Sequence, residues 1–133
     1  MTAENMYADI ILDYYRNPRN YGSIMDADAS ARDVNPLCGD IVEMNLGIEG
    51  GKIQDIKFSG SGCAISQASA SMLTEFVKGK KLEEIKEIDK SDVLDLLGIE
   101  VSHVRIKCAL LGLKVLKMAV YTHMEQKMDE DVY

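Results

Sequence analysis

The chain has 133 residues, 47% of them hydrophobic, which is enough for one core and short for two. Its 22 acidic side chains outnumber 15 basic ones, and a formal charge of -7 disfavours nucleic acid as a partner, because such a surface repels phosphates. No run approaches the roughly twenty apolar residues of a membrane span, and MTAENMYADI has neither the basic start nor the apolar core of a secretion signal, so a cytoplasmic protein with no membrane partner is expected.

Thr2 is placed to cap a first helix in which Met6, Ile10, Ile11 and Tyr14 recur at helical spacing, and RNPRNYG ends it through Pro18, Asn20 and Gly22. A short edge strand is expected around Ala31 to Val34. From Ile41, the residues Val42, Met44, Leu46 and Ile48 alternate with Glu43 and Asn45, the period of a half-buried strand. Gly50 and Gly51 supply the positive backbone angles of a tight hairpin, and KIQDIKFSG returns as the next strand. Ile53 is out of phase with Ile56 and Phe58, which calls for a bulge near the turn.

Ala64 to Lys78 reads as a helix with Ile65, Ala68, Met72, Leu73 and Phe76 inward, ended by a left-handed Gly79. LEEIKEI is a short helix, Ser91 opens another that Gly98 closes, and a last long helix starts near Lys107 with Leu111, Val115, Met118 and Ala119 inward. The acidic tail from about residue 125 reads as flexible and solvated. The pattern describes a single α+β domain, 1-133, with a small three-stranded antiparallel sheet packed against helices.

Three cysteines cannot all pair within one chain, so at least one thiol is left to packing or chemistry. Cys38 and Cys63 are equidistant from Gly50 and Gly51, so the hairpin is expected to set them opposite each other, about 5 Å apart at Cα unless the bulge shifts the register. Asp40 follows Cys38 by two and shares its face of the strand. Cys63 and Cys108 each stand at the start of a helix, where free amides favour a thiolate, and Arg105 and Lys107 add positive charge beside Cys108. Three thiolates and a carboxylate suit tetrahedral zinc or an iron-sulfur cluster with one oxygen ligand. On spacing alone, a Cys38 to Cys63 disulfide with Cys108 buried as a core residue stands equally. His103 is isolated and reads as exposed or structural. GSGC resembles a phosphate loop only in its two glycines, lacking the GxxxxGK[ST] pattern.

Four segments, ILDYYRNPRNYG, NPLCGD, GSGC with AISQASASMLTEFVKGK, and VRIKCALLGLKVL, resemble in order those of the U-type iron-sulfur cluster assembly proteins, the family of IscU, SufU and the N-terminal domain of NifU. The resemblance implies a SufE/NifU-like fold and a metal or cluster ligand set of Cys38, Asp40, Cys63 and Cys108, the three cysteines also being the candidate sulfur acceptors. It implies a non-enzymatic scaffold that takes persulfide sulfur from a cysteine desulfurase, combines it with iron into a [2Fe-2S] cluster and passes this to acceptor proteins, with a homodimer on cluster binding as one arrangement. Lys107 stands where the scaffold branch has histidine, so RIKC looks more like the SufU branch, which binds zinc and relays sulfur as a sulfurtransferase. The short interval between Cys63 and Cys108 resembles the scaffold branch instead. VSHVRIKC also lacks the proline motif through which many scaffolds meet a dedicated chaperone. A protonated lysine cannot bind metal, which leaves Lys107 and Arg105 as modulators outside the ligand set.

Overall fold

The computed structural model describes residues 3–125. Its elements run α1 (Ala3–Arg16), β1 (Ala29–Asn35), β2 (Asp40–Glu49), β3 (Lys52–Ser61), α2 (Ala64–Val77), α3 (Leu82–Lys86), α4 (Lys90–Leu97) and α5 (Ile106–His123). The strands form one antiparallel sheet in the order β1-β2-β3. This is the expected α+β architecture. Thr2, the side chain of Met6 and the tail beyond Glu125 lie outside the described residues.

Alternation in β2 buries Val42, Met44 and Leu46 completely, and Ile53, Ile56 and Phe58 of β3 join them on the helix-facing side. Placing Ile53 and Ile56 on one face demands an extra residue, and the register slips between Gly47 and Ile48, as the phase of Ile53 predicts. Gly50 and Gly51, with φ of 61° and 73°, make the turn. Beyond the bulge every pairing is displaced by one, so that Ile41 faces Ser61.

Helix α2 is buried almost all round, between the sheet, α1 and α5. That position explains its small residues. A Cβ on Gly112 of α5 would stand 3.2 Å from the Ala70 Cα, so a side chain there would require Ala70 to give way. The hydroxyls buried by this close approach are satisfied: Ser69 donates to the Ala109 carbonyl at 2.6 Å, and Thr74 to the Ser71 carbonyl at 2.6 Å. The residues after α1 tie back to the same layer, with the Arg19 amide donating to Ser71 Oγ at 2.8 Å and Tyr21 bridging to Phe58.

Several expectations are corrected. Ile10 and Phe76 lie largely at the surface, 41% and 38% exposed, because Ile11 and Val77 occupy the inward positions of their turns. Asp89, not Ser91, caps α4: its carboxylate accepts from the Asp92 amide at 3.0 Å while Asp92 reaches back to the Asp89 amide at 2.9 Å. Helix α5 begins one residue earlier than read, at Ile106, and Met118 is only half-buried.

Candidate metal centre

Three connections meet at one end of the sheet: the turn from β1 to β2, the step from β3 into α2, and the loop entering α5. Asn35 pairs with Asp40 across the first, leaving residues 36–39 as a tight turn that places Cys38 in solvent. Asn35 builds this turn, its carbonyl accepting from the Gly39 amide at 2.7 Å and its Oδ1 from the Leu37 amide at 3.2 Å. Gly39 adopts a φ of 72°, which glycine takes without strain.

Asp40 opens β2 on the same face as Val42 and Met44, and this buries its carboxyl completely at the margin of the core. The Cys63 amide donates to Asp40 Oδ1 at 2.8 Å, and the Cys63 Sγ lies 3.9 Å from Oδ2. Gly62 has a φ of 143°, and any Cβ there would overlap the Asp40 carboxyl. The glycines of GSGC therefore serve close backbone approach, Gly60 to the Ile41 carbonyl and Gly62 to Asp40, in place of a phosphate. Cys63 caps α2, with the Ser66 amide directed at its sulfur at 3.5 Å.

Cys108 stands in the first turn of α5, buried, with its thiol 3.3 Å from Cys38 Sγ. Asn35 Nδ2 donates to it at 3.5 Å. The donor atoms of Cys38, Asp40 and Cys108 all lie within 4.8 Å of one another. Cys63 stands beside this trio against Asp40, half-buried. The expected opposition of Cys38 and Cys63 is replaced by Cys38 against Cys108 and Cys63 against Asp40, because the bulge displaces the register and Cys38 sits in the turn, ahead of β2. All three cysteines are free, so no disulfide joins them.

The electrostatics of Cys108 also differ from expectation. Burial pushes its thiol up, and its interactions with Asp40, Cys38 and Cys63 push it further in the same direction. Arg105 and Lys107 are exposed, and the groups acting most strongly on the Cys108 thiol are acidic or sulfur-bearing. A bound cation reverses this balance, since a coordinated thiol loses its proton outright. Two sulfur donors and one carboxyl lie within 4.8 Å of one another on a partly open site, with Cys63 Sγ 3.9 Å from that carboxyl, and such donors suit zinc or iron. His103 is exposed and takes no part. Asn35 is the site residue that spacing did not single out, although it heads NPLCGD.

The family described as NifU-like N terminal domain matches residues 6–130. The chain belongs to that family. Among individual proteins, it is 37% identical over 134 residues to the zinc-dependent sulfurtransferase SufU of Bacillus subtilis, a match covering 88% of this chain and 90% of the relative. It is equally 37% identical, over 127 residues, to the iron-sulfur cluster assembly scaffold protein IscU 1 of Archaeoglobus fulgidus, with 94% and 82% covered. A crystal structure of a SUF-system scaffold protein from Fervidobacterium islandicum superimposes with a TM-score of 0.75 at 31% identity, over 90% of this chain and 99% of that one. The chain is thus an IscU/SufU-type member of an iron-sulfur cluster assembly family. No helix among the described residues is long and apolar enough to cross a membrane.

Proposed function

We propose that this member of the NifU-like N-terminal family is a scaffold on which a [2Fe-2S] cluster is built from iron and desulfurase-derived persulfide sulfur and then passed to acceptor proteins, with Cys38, Asp40, Cys63 and Cys108 as the cluster ligands. The observation that carries this reading is the placement of the buried Asp40 carboxyl among three thiols, one of them in solvent. An oxygen donor holds iron less firmly than thiolate does, which leaves one corner of the cluster labile for release. Exposure of Cys38 gives incoming sulfur and outgoing cluster a route. The similarity to the scaffold IscU 1 runs over 127 residues while covering 94% of the chain, almost without interruption. The match to SufU spans 134 residues yet covers 88% of this 133-residue chain, so that relative carries positions absent here.

The second reading is a zinc-dependent sulfurtransferase, favoured by Lys107 in RIKC and by the equal identity to SufU. In it the same four residues hold zinc, which acts as a Lewis acid on its thiolates, and Cys38 is the thiol best exposed to receive sulfur. Anaerobic incubation of metal-free protein with a cysteine desulfurase, cysteine, and equal ferrous iron and zinc separates the two. Matched iron and acid-labile sulfide support the scaffold; tight zinc with persulfide but no labile sulfide overturns it in favour of the sulfurtransferase.

A further inference from the structure

An open groove of about 370 Å³ lies next to the candidate centre, with which it shares Asn35, between the end of β1 and α5. Ile106, Leu110 and Leu111 line its floor, while Val34 and Leu37 stand on its rim, 37% and 83% exposed. Leu37 immediately precedes Cys38 and Lys107 immediately precedes Cys108, so the groove opens beside two of the thiols. An apolar side chain as exposed as Leu37, next to a floor of leucines, marks a surface suited to a partner.

Charge decides what kind of partner. The chain as a whole carries a formal charge of -7, yet three lysines, Lys90, Lys107 and Lys114, surround this groove against one carboxylate, Asp33. That carboxylate is already engaged, by Lys114 Nζ at 2.7 Å and by the Val34 amide at 2.9 Å. Lys90 and Lys107 are exposed, and among the described residues neither is joined to a carboxylate in an ion pair. Among the described residues β1 is an edge of the sheet, paired with β2 alone. An edge strand beside an apolar floor accommodates extended chain more readily than a helix.

We infer that this groove seats an extended segment of a second protein in which an apolar side chain is flanked by carboxylates. The apolar side chain enters between Leu37 and Leu110, and the carboxylates meet Lys90 and Lys107. Docking there brings the partner's surface beside the exposed Cys38, whose sulfur lies 3.3 Å from the buried Cys108, which makes the groove a recognition site for proteins that give to or take from the centre. That role for the partner rests on the proposed function, whereas the groove's binding is read without metal or sulfur, so the two readings fail separately.

The probe is a fluorescein-labelled pentapeptide, leucine flanked by two aspartates on each side, titrated with the full chain and followed by anisotropy. The expected result is saturable binding that weakens as salt is raised, and that falls about tenfold in the Lys90→Glu, Lys107→Glu double variant. Lys52→Glu, at the distant hairpin turn, is expected to bind as wild type. No binding, equal binding of a peptide with lysines in place of the aspartates, or wild-type binding by the double variant overturns the inference. So do two other outcomes that assign the groove another occupant. One is dimerisation in sedimentation velocity that the double variant abolishes, which points to a second copy. The other is carbodiimide cross-linking of Lys90 or Lys107 to residues 126–133 within a monomer, which points to the chain's own tail.

Discussion

Replacing Gly62 by alanine tests whether the close approach of GSGC to Asp40 builds the centre. Gly62 has a φ of 143°, a conformation that costs an alanine about 1–3 kcal/mol. Its Cβ would also lie 2.9 Å from the Asp40 Cα and overlap the carboxyl, so the Asp40 side chain must move. Moving it breaks the hydrogen bond from the Cys63 amide, worth about 1–3 kcal/mol when a buried group is left unsatisfied. Together these predict a loss of about 2–6 kcal/mol. Two glycines provide the controls. Gly39→Ala has a φ of 72° and nothing within 4 Å of the new Cβ, so it should lose only about 1–2 kcal/mol. Gly60→Ala, with a φ of 156°, drives a Cβ into the Ile41 carbonyl, so it should destabilise substantially while leaving the Asp40 carboxyl in place. Urea unfolding of metal-free protein gives the stabilities, and cobalt titration, read by sulfur-to-metal charge-transfer absorption, gives the site's affinity. Gly62→Ala should lose about 10–100-fold in cobalt affinity, the range for losing a partner that orients a ligand. Wild-type stability and cobalt affinity in Gly62→Ala, or an equal affinity loss in Gly60→Ala, would refute the reasoning.

Asn35→Ala removes both the Leu37 amide's acceptor and the donor to Cys108, and should weaken cobalt binding by about 10–100-fold in the same titration. On the scaffold reading, Asp40→Ala should lengthen the lifetime of an assembled cluster, followed by its visible absorption under a chelator; a shorter lifetime would remove the carboxyl from the role of labile corner. Ser69→Ala deletes a buried 2.6 Å bond between α2 and α5 and should cost about 1–3 kcal/mol in urea unfolding with no effect on cobalt affinity. Lys117 is buried, donates to the Lys86 carbonyl at 3.1 Å, and burial holds its pKa below the ordinary 10.5 despite Asp89, Glu87 and Asp92 nearby. Between the lowered folded value and 10.5 the unfolded chain binds more protons, so this group's contribution to stability rises with pH across that window. Denaturant midpoints for wild type and Lys117→Met should therefore differ in their slope against pH on the alkaline side of neutrality.

The architecture was legible wherever periodicity was strong. The alternation from Val42 to Leu46 located β2, and the phase error of Ile53 located the bulge, because both follow from which side chains a sheet must bury. The exposure of Ile10 and Phe76 was not legible, since a helix can carry more apolar positions than its neighbours have room to cover, and only packing decides which remain outside. The cap of α4 falls on Asp89 and not on Ser91, because the reciprocal bond from Asp92 closes a capping box there that spacing alone does not show.

The centre divides along the same line. Convergence of the three cysteines follows from topology: a hairpin places the β1 to β2 turn and the exit of β3 at one end of the sheet, and α2 and α5 both begin there. That much survives any small error in register. Which donors touch does not survive it, because a displacement of one residue beyond Gly47 puts Gly62 against Asp40 and aims the Cys63 amide at the carboxyl, while Cys38, outside the ladder, meets Cys108. The same distinction accounts for Cys108. Helix position argued for an ionised thiol, but a side chain in the first turn can face solvent or core, and this one faces the core beside a carboxyl and a second sulfur, where burial and like charge outweigh the helix end.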